Sequence, residues 1–92
     1  MIRSFSCTDT EALFNSLAVA RFRQIERVAR RKLLQIHAAM EINSLRIPPG
    51  NRLEALLGNR KGQHSIRVND QWRICFTWKS DGVHGVEIVD YH

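Results

Sequence analysis

The sequence predicts an α+β fold in which two N-terminal helices pack on one face of a mainly antiparallel sheet. Apolar side chains recur every three to four residues in the first half of the chain, and this helical pattern ends before Pro48-Pro49-Gly50, which cannot continue a helix. After that tripeptide, apolar and polar residues alternate, as strands require. Short connecting segments rich in turn-forming residues predict that successive strands pair as an antiparallel meander.

The helical half opens with an alternating segment, Ile2 to Ser6, which predicts a short strand. Thr8 and Glu11 then have the spacing of a capping box and predict the start of a first short helix. The longest predicted helix runs from Arg21 to Met40. On its helical wheel the apolar side chains share one narrow arc: Phe22, Ile25, Ala29, Leu33, Ile36 and Met40.

The opposite arc of this helix carries four arginines: Arg23, Arg27, Arg30 and Arg31. Leu34 falls among them, where it has no core to enter. Exposed apolar groups ringed by charge often mark contact surfaces.

Four strands are predicted after the proline pair: Asn51 to Leu56, Gln63 to Val68, Trp72 to Lys79 and Val83 to Tyr91. The two helices are expected to cover one face of this sheet and to leave the other face open. At 92 residues, the chain is expected to form a single domain spanning residues 1–92.

Composition favours a polyanionic partner, because Lys and Arg number 14 against 9 for Asp and Glu, and eleven of the 14 are arginine. Cys7 and Cys75 are far apart and show no CxxC spacing, and no cofactor or metal motif occurs, so neither a cofactor nor a metal is expected. No run approaches the roughly 18 apolar residues of a membrane span, and a cytoplasmic location is expected.

The candidates for chemistry are cationic or lie at the end of the sequence. Metal-free RNA cleavage needs a base for the 2′-hydroxyl, a cation for the phosphorane and an acid for the leaving 5′ oxygen. Arg73 and the final Asp90-Tyr91-His92 can supply these roles. Structural roles for the same tripeptide stay open: Tyr91 can fill a core edge, Asp90 can pair with an arginine, and His92 can be a frayed end.

Strand alternation puts Asp90 and His92 on one side and Tyr91 on the other, unless a bulge brings all three together. A further cluster of candidates surrounds the loop between the first two predicted strands. Its members are Arg52, Glu54, Arg60, Lys61 and His64.

Several spaced motifs resemble the HigB branch of the RelE/ParE toxin superfamily, and two segments resemble its GraT-like members. The motifs are Leu53-x-x-Leu56-x-Gly58-x3-Gly62, Ser65-Ile66-x-Val68, Trp72-Arg73-Ile74-x-Phe76 and the terminal Asp90-Tyr91-His92, and the segments are Ile2-Arg3-Ser4-Phe5 and Pro48 to Leu56. The resemblance covers nearly the whole chain. It implies a RelE-like fold and a growth-inhibiting toxin of a type II toxin–antitoxin system that cleaves mRNA on the ribosome without metal.

The resemblance implies three partners: a helix-turn-helix antitoxin of the HigA type, the ribosome and mRNA. It implies no contact with a membrane, and contact with DNA only through the antitoxin complex. The implied catalytic residues are Arg73, which would steady the phosphate, and Asp90, Tyr91 and His92. RNA binding is expected from Arg23, Arg27, Arg30, Arg31, Arg52, Arg60 and Lys61, and the roles of Glu54 and His64 in the loop are left open.

The loop departs from the pattern of these toxins, which commonly carry a His and a Lys where this sequence has Glu54 and Leu57. A carboxylate facing a phosphate is repelled, so a slow enzyme is expected. The opposing possibility is that Glu54, held near Arg52 or Arg60, is itself the general base.

Two other functions stay open from the sequence. The first is a ParE-like toxin that binds DNA gyrase without cutting nucleic acid, against which the terminal Asp90-Tyr91-His92 favours the nuclease. The second is a nucleic-acid-binding regulator that uses the arginines of the long helix.

Overall fold

The computed structural model describes residues 1–91 and has two α-helices on one face of a four-stranded antiparallel sheet. The described helices are α1 (Thr8–Phe14) and α2 (Glu26–Ala38), and the strands are β1 (Glu54–Ala55), β2 (His64–Arg67), β3 (Trp72–Lys79) and β4 (Gly82–Asp90). Four 3-10 turns lie at Ala20–Ile25, Ile42–Arg46, Pro49–Asn51 and Gly58–Arg60. The strand order is β1-β2-β3-β4, which confirms the predicted fold class and meander.

The core lies between α2 and the sheet. Phe22, Ala29, Leu33 and Ile36 are fully buried from the helical side, and the sheet contributes Ile66, Ile74, Phe76, Val86 and Ile88. Burying an aliphatic or aromatic side chain of this size stabilises a fold by about 1.5–3 kcal/mol. Helix α1 is tied to β4 by a hydrogen bond from the Ile88 amide to the Thr10 hydroxyl at 3.0 Å.

The prediction of a short strand from Ile2 to Ser6 is wrong. Ile2 and Phe5 form two isolated parallel bridges to Val83 and Val86 of β4. Gly85 lies between the two bridge positions with φ +61°, which interrupts a continuous ladder.

The predicted capping box is also wrong, because the chain enters α1 one residue earlier. Cys7 is the N-cap residue, and no side-chain hydrogen bond caps the helix. Thr8 is therefore already inside the first turn.

The predicted helix from Arg21 to Met40 is shorter and is divided. A 3-10 turn at Ala20–Ile25 precedes α2, and Ala39 has an extended backbone that ends the helix. Phe22 and Ile25 still face the core. Met40, predicted on the apolar arc, lies outside the helix and is 90% exposed.

The first predicted strand, Asn51 to Leu56, shrinks to Glu54–Ala55. Asn51 belongs to a 3-10 turn and is fully buried, and Arg52 has a left-handed backbone conformation with φ +46°. Neither backbone conformation fits a strand.

The sheet face turned away from the helices, called here the second face, is less open than predicted. Ser65, Arg73 and Cys75 all lie on it and are buried. The polar character of two of them leads to the candidate site.

Candidate active site

The register of the sheet gathers polar groups on the second face. Glu54 is the cross-strand partner of Ser65, Ser65 is the partner of Cys75, and Cys75 is the partner of Glu87. Arg73 precedes Cys75 by two residues, so its side chain emerges on the same face.

Arg73 is the centre of this group and is only 9% exposed. Its Nε donates to the Ser65 hydroxyl at 2.8 Å, and its Nη2 donates to the Arg52 carbonyl at 2.8 Å. Nη1 makes no hydrogen bond to any residue in the range 1–91, which leaves a donor for an anion. Strand β2 and the left-handed turn at Arg52 therefore enclose the Arg73 side chain.

A carboxylate and a phenol flank this guanidinium. Glu54 Oε1 lies 3.8 Å from Arg73 Nη2, and the Tyr91 ring centroid lies 5.7 Å from Arg73 Cζ. Glu54 and Tyr91 line a depression of about 240 Å³, together with Ala55, Leu56 and Leu57. A carboxylate and a phenol therefore meet at one surface depression, and each of them also contacts the buried Arg73 guanidinium.

Asp90 lies on the other side of the sheet from Tyr91, as strand alternation predicts. It is the cross-strand partner of Trp72, and its carboxylate accepts a hydrogen bond from Gln71 Nε2 at 3.1 Å. The register shift in β3 and β4 is at Cys75/Thr77, far from the strand end, so it does not bring Asp90 to Arg73. His92, the fourth predicted catalytic residue, lies outside the described residues.

The loop cations have different surroundings. Arg60 reaches the second face, where it forms an ion pair with Glu87 at 2.8 Å and a hydrogen bond to Gln63 Oε1 at 3.0 Å. The hydrogen bond to Glu87 raises the pKa of Arg60. Lys61 and the Arg52 side chain are exposed, and Arg52 serves Arg73 only through its main-chain carbonyl.

His64 does not join this group, contrary to its placement among the loop candidates. It is the cross-strand partner of Phe76 on the helix side, and the two rings stack at 6.3 Å with an interplanar angle of 22°. Its position one residue before Ser65 puts it on the opposite face.

Two members of the second face, Ser65 and Glu87, were not among the predicted site residues, although Ser65 stands in one of the motifs that carry the resemblance. A serine and a glutamate in strands have no distinctive pattern. Only the cross-strand register, which depends on the lengths of both turns, brings them to Arg73 and Arg60.

The four arginines predicted on one arc of the long helix do share an exposed surface. Arg23, Arg27, Arg30 and Arg31 line a depression of about 510 Å³ with Glu26 and Leu34. This surface is the outer side of the helical layer, and the sheet separates it from Arg73.

A buried polar pair supports the turn that holds Arg73. The Lys32 ammonium of α2 donates to the Asn51 side-chain oxygen, and Asn51 Nδ2 donates to the Leu45 carbonyl at 3.0 Å. Burial, followed by the charges of Arg31 and Arg67, lowers the pKa of Lys32. Asn51 directly precedes Arg52, so this pair fixes the carbonyl to which Arg73 donates.

Replacing Asn51 by alanine should lower the free energy of unfolding by about 3 kcal/mol, because it leaves a buried ammonium without an acceptor and a buried carbonyl without a donor. Urea unfolding measures this loss. Asn43→Ala is the matched control, since Asn43 is exposed and its side-chain oxygen accepts a hydrogen bond from the neighbouring Arg46 at 3.1 Å. Lys32→Met should recover part of the loss in the Asn51→Ala background, and a loss below about 1 kcal/mol for Asn51→Ala alone would contradict the role of the pair.

Within residues 1–91, no helix has the length and apolar character needed to cross a membrane. Over the same range, no group of three or more His, Cys, Asp or Glu side chains is arranged to hold a metal ion.

Comparisons with known proteins identify similar chains. Residues 13–92 match the family described as RelE-like toxin of type II toxin–antitoxin system HigB. Toxin HigB-1 of Vibrio cholerae serotype O1 is 52% identical over 68 residues, which are 74% of this chain and 70% of that protein. An uncharacterised protein of Haemophilus influenzae is 40% identical over 60 residues, which span 65% of this chain and only 59% of that protein.

Among solved structures, the YoeB–YefM complex from Staphylococcus aureus matches with a TM-score of 0.63 and 21% identity, over 100% of this chain and 95% of that chain. A heterotetrameric YoeB–YefM toxin–antitoxin complex from the same organism matches with the same values. At this identity the likeness concerns the fold.

Proposed function

Because this chain belongs to the HigB family of RelE-like toxins of type II toxin–antitoxin systems, we propose that it inhibits growth by cleaving mRNA on the ribosome. The family membership rests on a match over residues 13–92 and on 52% identity to Toxin HigB-1. The cleavage chemistry is argued from the second face.

The observation that carries this proposal is that Glu54 and Tyr91, which line one depression, both contact the buried Arg73 guanidinium. A buried guanidinium whose plane is fixed by Ser65 and Arg52 is suited to phosphate, since its Nη1 is left to donate to a phosphate oxygen.

In the proposed reaction, the Glu54 carboxylate takes the proton of the 2′-hydroxyl. The 2′ oxygen then attacks the phosphorus, and the bond from phosphorus to the 5′ oxygen breaks. Arg73 stabilises the charge that builds on the phosphorane, and the leaving 5′ oxygen takes a proton from Tyr91 or His92. The products are a 2′,3′-cyclic phosphate and a 5′-hydroxyl end.

Glu54 is chosen as the base over Asp90 for a geometric reason. Glu54 is 52% exposed at its side chain and lies 3.8 Å from Arg73, whereas Asp90 emerges on the opposite face. In the free protein Arg73 attracts this carboxylate. A phosphate that binds Arg73 replaces that attraction and leaves the carboxylate available to the 2′-hydroxyl. The glutamate that differs from the common pattern of these toxins thus takes the role of the missing imidazole.

The proposed partners are a helix-turn-helix antitoxin of the HigA type, the ribosome and mRNA, all in the cytoplasm. Membership of a toxin–antitoxin family supports the antitoxin. An excess of 14 basic over 9 acidic side chains supports the ribosome, because phosphates attract a basic protein at long range.

The proposal is tested by mapping the 5′ ends of cellular mRNA after brief induction of the toxin. New 5′-hydroxyl ends inside translated frames would support it. Intact mRNA with arrested replication would overturn it in favour of a toxin that binds gyrase.

Cleavage should also be independent of transition metals, because side chains supply the base and the charge stabilisation in the proposed reaction. On programmed ribosomes with magnesium held constant, a chelator selective for transition metals should change the single-turnover rate by less than about twofold, a free-energy difference under about 0.5 kcal/mol. Translation of an uncut reporter controls for ribosome integrity. A rate that falls with chelator and returns with one added metal would contradict the proposed reaction.

A further inference from the structure

The outer side of α2 carries several arginines, of which only one is paired with a carboxylate of the described residues. Arg30 is engaged, since its Nη1 pairs with Glu26 at 3.2 Å and its Nε donates to the Leu13 carbonyl at 3.0 Å. Arg23, Arg27 and Arg31 are exposed and pair with no carboxylate in the described part of the chain. These residues and Leu34 are called the arginine face.

The three unpaired arginines line one side of the same depression. Arg27 and Arg31 are four residues apart in α2 and lie about 6 Å apart along its axis, and Arg23 lies in the 3-10 turn that leads into the helix. A facing helix with carboxylates at the same spacing can pair with each of them, and charge-assisted pairs between guanidinium and carboxylate are the strong ones.

Leu34 adds an apolar centre to these arginines. It is 51% exposed, and it lies one turn from both Arg30 and Arg31. The surrounding depression measures about 510 Å³, which accommodates an apolar side chain of a partner over Leu34. An apolar anchor ringed by charge is the usual anatomy of a protein contact.

We propose that the arginine face binds an acidic amphipathic helix of the antitoxin, with one apolar side chain over Leu34 and carboxylates on Arg23, Arg27 and Arg31. The inference rests on the chain being the toxin of a toxin–antitoxin pair, and it does not depend on the proposed cleavage reaction.

RNA fits this surface less well. No described aromatic side chain lines the depression to stack on bases, and Leu34 offers nothing to a phosphate. The Glu26 carboxylate within the face suits a protein partner better than a polyanion. The sheet also separates the face from Arg73, so mRNA at Arg73 does not extend onto it directly.

The test measures how fast the intact toxin–antitoxin complex dissociates, by exchange with labelled wild-type toxin. Affinity changes within one interface lie mostly in the dissociation rate. Leu34→Asp should raise that rate about 30-fold, the scale of a hot-spot residue. Arg27→Glu combined with Arg31→Glu should raise it comparably and more strongly at low salt.

Met40→Asp and Lys79→Glu are the matched controls, because both side chains are exposed elsewhere on the surface and should leave the rate unchanged. If Leu34→Asp prevents recovery of a folded complex, the double arginine variant decides, since exposed arginines contribute little to folding. Rates within threefold of the parent for the double variant would overturn the proposal. Loss of ribosome binding in that variant, with unchanged antitoxin exchange, would overturn it in favour of RNA.

Discussion

Replacing Arg73 by lysine is expected to lower the single-turnover rate of mRNA cleavage on programmed ribosomes by about 10²- to 10³-fold. Lysine keeps the positive charge but lacks the planar fork. It cannot reach the Ser65 hydroxyl and the Arg52 carbonyl while also offering a free donor to the phosphate. The loss should appear in the rate at saturating ribosome concentration, because the interaction is made chiefly in the transition state.

Stability must be measured alongside this rate, since Arg73 is buried. Urea unfolding of Arg73→Lys separates a misplaced charge from an unfolded protein. Arg21→Lys is the control, because Arg21 is an exposed arginine in an ion pair with Asp9 at 2.8 Å, away from the second face. Near-parental cleavage by a folded Arg73→Lys protein would remove Arg73 from the reaction.

Replacing Glu54 by glutamine is expected to lower the cleavage rate by about 10²- to 10⁴-fold, the contribution of a positioned general base. The amide preserves the shape of the side chain and its exposure, so the fold should be unaffected. Glu41→Gln, at an exposed position outside the site, is the control.

The opposite outcome for Glu54 is equally well defined. If Glu54→Gln costs little, and Glu54→His combined with Leu57→Lys is faster than the parent, the carboxylate only repels the phosphate. The toxin is then a slow enzyme that has lost its loop base, as the sequence pattern first suggested.

The sequence was sufficient to predict the strands and helices whose spacing of apolar residues reflects their burial in the core. Strand β3 has the predicted bounds, Trp72–Lys79, because its apolar run leaves few alternatives. Ala29, Leu33 and Ile36 of α2 face the core as the helical period predicts. The segment around Asn51 was mispredicted because a buried asparagine and a left-handed arginine depend on partners far away in sequence, Lys32 and Arg73.

The candidate site was predictable only in part for the same reason. Arg73 and Tyr91 were identified from residue type and resemblance, and the opposite orientations of Asp90 and Tyr91 followed from alternation. The sequence placed Glu54 near Arg52 or Arg60, but in the structure it lies near Arg73. This contact depends on the pairing of the two-residue strand β1 with β2. No local pattern in the sequence encodes that register.

The hydrogen bond from Arg73 to the main-chain carbonyl of Arg52 affects which mutations an active toxin can carry. A main-chain atom survives every exchange of its own side chain, so position 52 can drift freely in residue type while the toxin stays active, provided that the new residue tolerates a left-handed backbone. Cells that escape the toxin by mutation should instead accumulate changes at Lys32 of α2 and at Asn51 of the turn before Arg52, because one substitution in this buried pair releases the turn without altering a residue that meets RNA.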